Sequence, residues 1–199
     1  PYGCWEQKLT KLLGGMEFLN LKRFLPDNFK YYPYENYSHT NNSVDFTLTD
    51  IQNTINNIEK FQSPSGGMSY FVPYDSYASP YLSTYTALGL NYLHRNGIKI
   101  PANAAEKLTR YLERMLKIDA FPDFYSRGMA SDTRAVALAS LTENNHPLFQ
   151  DASSKLEINY TDFLRHYSEL NHMSLFGRSF ILQSALNLKA NTHLAQPLN

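Results

Sequence analysis

The segments Leu82-Ser83-Thr84-Tyr85-Thr86-Ala87-Leu88, Ser131-Asp132-Thr133-Arg134-Ala135-Val136-Ala137-Leu138 and Phe176-Gly177-Arg178-Ser179-Phe180-Ile181-Leu182 decide the fold class of this 199-residue chain. Aligned on Thr84, Thr133 and Arg178, they recur at steps of 49 and 45 residues. Each places small residues along one side of a helix, which lets neighbouring helices approach closely. A recurrence of this length, built on a helix–loop–helix unit, means a stacked array of α-hairpins or a toroid, because one such unit cannot bury its apolar face alone. No segment has convincing strand alternation. The fold class read from the sequence is therefore all-α.

The helices follow from periodicity and punctuation. Residues 81–95 form a strong helix that Asn96-Gly97 closes. Pro101 opens the next, running to Lys117 with Leu108, Leu112, Met115 and Leu116 on its apolar face. Ser131 or Asp132 caps a helix over 133–142, a further helix spans 152–169 with a possible break at Ile158-Asn159-Tyr160, and Ser174 caps a last one over 175–188. Upstream, Leu9, Leu12, Leu13, Met16, Leu19 and Phe24 mark a helix over 6–24, weakened at Gly14-Gly15 and ended by Pro26-Asp27. Thr49 or Thr47 caps a helix through Phe61, with Ile51, Ile55 and Ile58 on one face. Ser63-Pro64-Ser65-Gly66-Gly67 breaks the chain, and 68–80 is irregular, with Phe71, Val72, Tyr74 and Tyr77 available for packing. The aromatic, polar stretch 29–46 reads as a surface excursion, or as a flap of tyrosines over a reactive group.

Charge excludes one class of partner. Lys and Arg number 18, Asp and Glu 18, so the net charge is zero and nothing draws the chain to nucleic acid. No run is long enough to span a membrane, and no charged-then-apolar leader opens the chain. The six histidines, His39, His94, His146, His166, His172 and His193, lack metal-ligand spacing, and no cofactor is expected. Asp119 and Asp123 are the weak candidate for paired carboxylates.

The chemistry is concentrated in Pro1-Tyr2-Gly3-Cys4-Trp5-Glu6-Gln7. Cys4 is the only cysteine, so no internal disulfide is possible. A thiol three residues before a carboxamide suggests one reaction: the Cys4 sulfur displaces the Gln7 amide nitrogen, ammonia leaves, and an internal thioester remains. Gly3 suits the tight turn, and Glu6 lies inside the ring, where it can tune the carbonyl or carry protons. The bland alternative is an inert cysteine at a helix start.

Pro-Tyr-Gly-Cys-x-Glu-Gln resembles the thioester signature of the α2-macroglobulin and complement superfamily, and Trp5, where animal members carry Gly, leans toward its bacterial branch. Residues 61–71 resemble the loop that precedes the family's small-residue helix, and Pro80-Tyr81-Leu82-Ser83-Thr84-Tyr85 resembles its Trp-Leu-Thr-Ala-Tyr stretch, with Tyr81 in place of Trp. The resemblance implies an α/α toroid, incomplete here, in a larger periplasmic, lipid-anchored parent that traps proteases by bonding covalently to their lysines. It also implies that the remaining domains of that parent are partners, and that the chain is a piece of it. Family members that react with hydroxyls carry a histidine in the loop equivalent to 119–130. Since that loop has none, direct reaction with amines is expected. Tyr2, Trp5 and Tyr125 are the expected shields of the bond. A helical interaction scaffold and an α/α-toroid enzyme are the readings from other classes, the latter lacking a convincing acidic cluster.

Overall fold

Helices packed on one another make up the computed structural model, which describes residues 3–26, 47–74, 77–117, 121–143, 166 and 169–191. The α-helices are α1 (Trp5–Leu21), α2 (Leu48–Ile55), α3 (Pro80–Arg95), α4 (Ala102–Lys117), α5 (Arg127–Thr142) and α6 (Leu175–Asn191). No strand occurs among the described residues, which hold one isolated bridge between Gln62 and Met68. The expected flap over 29–46 and most of the expected helix over 152–169 lie outside the described residues, as do Tyr2 and Asp119.

Helix ends follow local chemistry. Thr47 caps α2 through a capping box: its hydroxyl accepts from the Asp50 N–H, and the Asp50 carboxylate accepts from the Thr47 N–H at 2.9 Å. The α-helix stops at Ile55 and a 3₁₀ turn, Ile58–Phe61, completes the segment, because the Asn56-Asn57 pair offers side-chain bonds that compete with the helix. Helix α1 runs through Gly14-Gly15 without a break and tightens to 3₁₀ at Lys22–Phe24. At the end of α3, the Ile98 N–H reaches the Leu93 carbonyl and the Gly97 N–H reaches that of His94. Gly97 sits at φ 86°, which completes a Schellman closure.

One cap differs from expectation. Helix α5 starts at Arg127, and its cap is Ser126, whose hydroxyl accepts from the Met129 N–H at 3.2 Å. Ser131 and Asp132 cannot serve because both are inside the helix and committed to tertiary bonds. The Asp132 carboxylate accepts from the Ser174 N–H at 3.0 Å and from its hydroxyl at 2.6 Å, while Ser131 donates to Glu169. Ser174 in turn caps α6 as expected, accepting from the Gly177 N–H.

The three small-residue helices are neighbours in space. Helix α5 lies between α3 and α6, and α3 also packs on α1. All four run the same way. Trp5 bonds Thr86 near the starts of α1 and α3, and Asn20 bonds Tyr92 and Asn96 near their ends. Tyr125, just before α5, meets Tyr81 at the start of α3, and the Asn91 amide reaches the Ser140 carbonyl farther along. Asp132 and Ser174 join the starts of α5 and α6, and Asn187 donates to the Ala139 carbonyl toward their ends. Helices α2 and α4 pack behind this row, α2 on α1 and α4 on α3 and α5. Gln52 clasps the α3–α4 turn with two bonds to Lys99. A single apolar cluster joins the two sets, including Trp5, Leu9, Ile51, Ile55, Leu90, Leu108, Leu112 and Leu138.

Candidate functional site

Cys4 is the N-cap of α1, with extended backbone (φ −66°, ψ 161°), and its side chain makes no capping bond. Gln7 is therefore the third residue of the helix. A cap side chain lies over the third residue's backbone, which is why caps bond there. Cys4 and Gln7 are thus the cap and the third residue of one helical turn, the two positions that a capping interaction spans. Cys4 is half-buried and Gln7 exposed. The Lys8 N–H closes the turn on the Cys4 carbonyl at 3.0 Å.

Trp5 anchors this turn from beneath. It is fully buried, its indole N–H donates to the Thr86 hydroxyl at 2.8 Å, and its ring tilts against Phe61 with centroids 5.4 Å apart. Its backbone N–H donates to the Tyr70 carbonyl at 2.7 Å, so the loop 62–79 is tied directly to the start of α1. Trp5 thus packs inward, into the core. That loop is itself held by short bonds: Ser79 N–H to the Met68 carbonyl and Met68 N–H to the Ser83 hydroxyl, each 2.8 Å.

Phenols gather around Glu6. Burial, followed by the negative charge of Glu6, holds the Tyr81 phenol above its ordinary pKa. Tyr70 is raised by burial first and then by the charges of Glu6, Tyr125 and Tyr77, against a bond from Ser79 that lowers it. Burial likewise raises Tyr77. These groups remain protonated donors near neutral pH and are not nucleophiles. Tyr125 enters from the loop before α5. Its hydroxyl accepts from the Tyr81 N–H at 3.2 Å, and its ring is packed by Phe121 and Phe124 at 5.1 and 5.2 Å. The sequence singled out Cys4, Glu6, Gln7, Trp5 and Tyr125. Tyr70, Tyr81 and Tyr85 were not singled out as site residues; the tyrosine density between 70 and 85 was the available signal.

Elsewhere the surface holds less chemistry. An open groove of about 350 Å³, lined by residues that include Glu59, Lys60, Gln62 and Lys107, shares no residue with the Cys4–Gln7 turn. Among the described residues no group of His, Cys, Asp or Glu has metal-holding geometry, and no helix is long and apolar enough to cross a membrane. His39, His146 and His193 lie outside the described residues, while His166 is buried. No family model, curated protein or solved structure matches the chain.

Proposed function

We propose that Cys4 and Gln7 form an internal thioester and that this chain is the reactive part of a single-use protease trap of the α2-macroglobulin type. The observation that carries the reading is the pairing of Cys4 at the cap and Gln7 at the third position of one helix, on a first turn fixed by Trp5. Ring closure joins the Cys4 sulfur to the Gln7 Cδ and releases the side-chain nitrogen as ammonia. An amine then adds to the same carbon: a C–N bond forms, the C–S bond breaks, and the thiol is regenerated. The attacker stays bonded through an amide, so the protein inhibits once and does not turn over.

The row of four parallel helices backed by α2 and α4 supports an incomplete α/α toroid. The attacking amines are the lysines of a protease that has cleaved a bait segment in a larger parent, whose other domains cover the bond beforehand. That parent is periplasmic and lipid-anchored. Tyr2, Trp5 and Tyr125 belong to the shield, Trp5 from below and Tyr125 through Tyr81. Water must be kept from the acyl group until attack.

The test is intact mass and thiol titration of the full-length protein isolated from its source, before and after methylamine. A protein lighter by one ammonia, with no titratable thiol until methylamine adds, is the expected result. A freely titrating Cys4 with no adduct would leave a helical scaffold with an inert cysteine.

A further inference from the structure

Asn96-Gly97 is the one Asn-Gly pair in the sequence, and it closes α3 beside the end of α1. Such a pair can react with itself, because no side chain on the glycine hinders its amide nitrogen from reaching the asparagine Cγ. Here each polar atom of that reaction is already engaged. The nucleophile, the Gly97 N–H, donates to the His94 carbonyl at 2.9 Å. The leaving group, Asn96 Nδ2, donates to the Tyr92 carbonyl at 2.8 Å, and Asn96 Oδ1 accepts from Asn20 Nδ2 at 2.9 Å. The backbone angle is also wrong for closure. A five-membered ring needs the Asn96 Cβ and the Gly97 nitrogen eclipsed about the Cα–C bond, which occurs at strongly negative ψ, whereas Asn96 has ψ 17°.

One of these bonds comes from outside the turn. Asn20 is exposed and lies in the last turn of α1, where it also donates to the Tyr92 hydroxyl at 3.1 Å. It is the far end of a seam that the Trp5–Thr86 bond and the Thr10–Tyr85 contact at 2.9 Å hold nearer its start. The neighbours of Asn20 bury little: Leu21 is 49% and Phe24 69% exposed. Helix ends with few buried contacts open at the least cost.

We infer that Asn96-Gly97 is a latent deamidation site that Asn20 holds shut, and that release of the end of α1 from α3 lets it react. The Gly97 nitrogen bonds to the Asn96 Cγ, the Cγ–Nδ2 bond breaks, and ammonia leaves with the proton of the Gly97 N–H. Water then opens the ring at either carbonyl, leaving aspartate or isoaspartate at position 96. The change runs one way. The new carboxylate has no proton to give the Tyr92 carbonyl, and it sets a negative charge at the C-terminal end of α3, which the helix dipole opposes. This inference is independent of the thioester reading.

The experiment follows deamidation of the full-length protein near neutral pH, by mass, on the peptide that holds residues 96 and 97. A succinimide and a thioester each lack one ammonia, so this peptide is read apart from the one that holds Cys4. Folded wild type, wild type in urea and folded Asn20→Ala are compared, with amide exchange in α5 as the measure of general loosening. Folded wild type should react at least about tenfold more slowly than the chain in urea. Asn20→Ala should speed the folded reaction by roughly fivefold, the worth of one net hydrogen bond, with α5 exchange unchanged. Equal rates in the folded protein and in urea would overturn the inference, as would an Asn20→Ala rate equal to that of wild type. Acceleration matched by faster exchange in α5 would overturn it too, since Asn20 would then act through overall stability.

Discussion

Trp5 is the residue through which the reactive turn is joined to the core. Its indole N–H has a buried acceptor in Thr86, so Thr86→Val keeps the shape and strands a donor. The expected loss is about 1–3 kcal/mol, read as a fall in Tm of several degrees for a chain of this size. An unchanged Tm would mean that the N–H finds another acceptor. Glu169 offers a pH test. A hydrogen bond from Arg127, against a smaller effect of burial and assisted by the Arg127 charge, holds its carboxyl below the ordinary carboxylate value. A group whose folded pKa is lowered stabilises fully above its unfolded pKa, and that stability is lost as pH falls through the folded one. The pair is at the surface, with the Arg127 side chain 66% exposed, so the contribution is under about 1 kcal/mol. Arg127→Ala should therefore lower stability slightly at neutral and alkaline pH, leave it unchanged well below the folded carboxyl pKa, and so make the acid side of a stability–pH curve slightly shallower.

At the scale of elements, ends matter more than middles. Gly97 adopts a backbone conformation that costs an L-residue about 1–2 kcal/mol, and open space surrounds it. Gly97→Ala should thus destabilise by about 1 kcal/mol in urea unfolding through strain alone. A loss several times larger would point to a packing role for this turn. The caps at Thr47 and Ser174 and the closure at Asn96-Gly97 were legible because each works within a few residues of itself. Ser126 was missed for a tertiary reason. Ser131 and Asp132 are equally good cap types, and only the arrival of α6 and Glu169 commits their side chains elsewhere. The Gly14-Gly15 pair likewise failed to interrupt α1, whose buried Leu12 and Met16 hold that stretch in the core.

For the whole molecule, the parallel row depends on how closely its helices approach. A Cβ at Gly177 would overlap the Asp132 carboxylate that holds Ser174. Gly177→Ala should therefore cost about 1–3 kcal/mol and loosen α6 from α5, seen as faster amide exchange in α6 than in α1. Uniform exchange across both helices would contradict this. Cys4→Ala separates function from fold: the half-buried side chain caps nothing, so Tm should move little, whereas covalent capture of a protease by the full-length protein should disappear. Capture that persisted would rule out the trap.

The sequence by itself determined the helical class, most helix spans and the spacing of Cys4 and Gln7, because periodicity, caps and a three-residue separation are local properties of the chain. It also marked the three small-residue segments that became neighbours. Only the tertiary structure decided that Trp5 packs inward against Thr86 and that Tyr125 reaches Tyr81. Those contacts join residues 44 or more positions apart. They depend on the register between parallel helices, which the Thr10–Tyr85 and Trp5–Thr86 bonds set and no local pattern encodes.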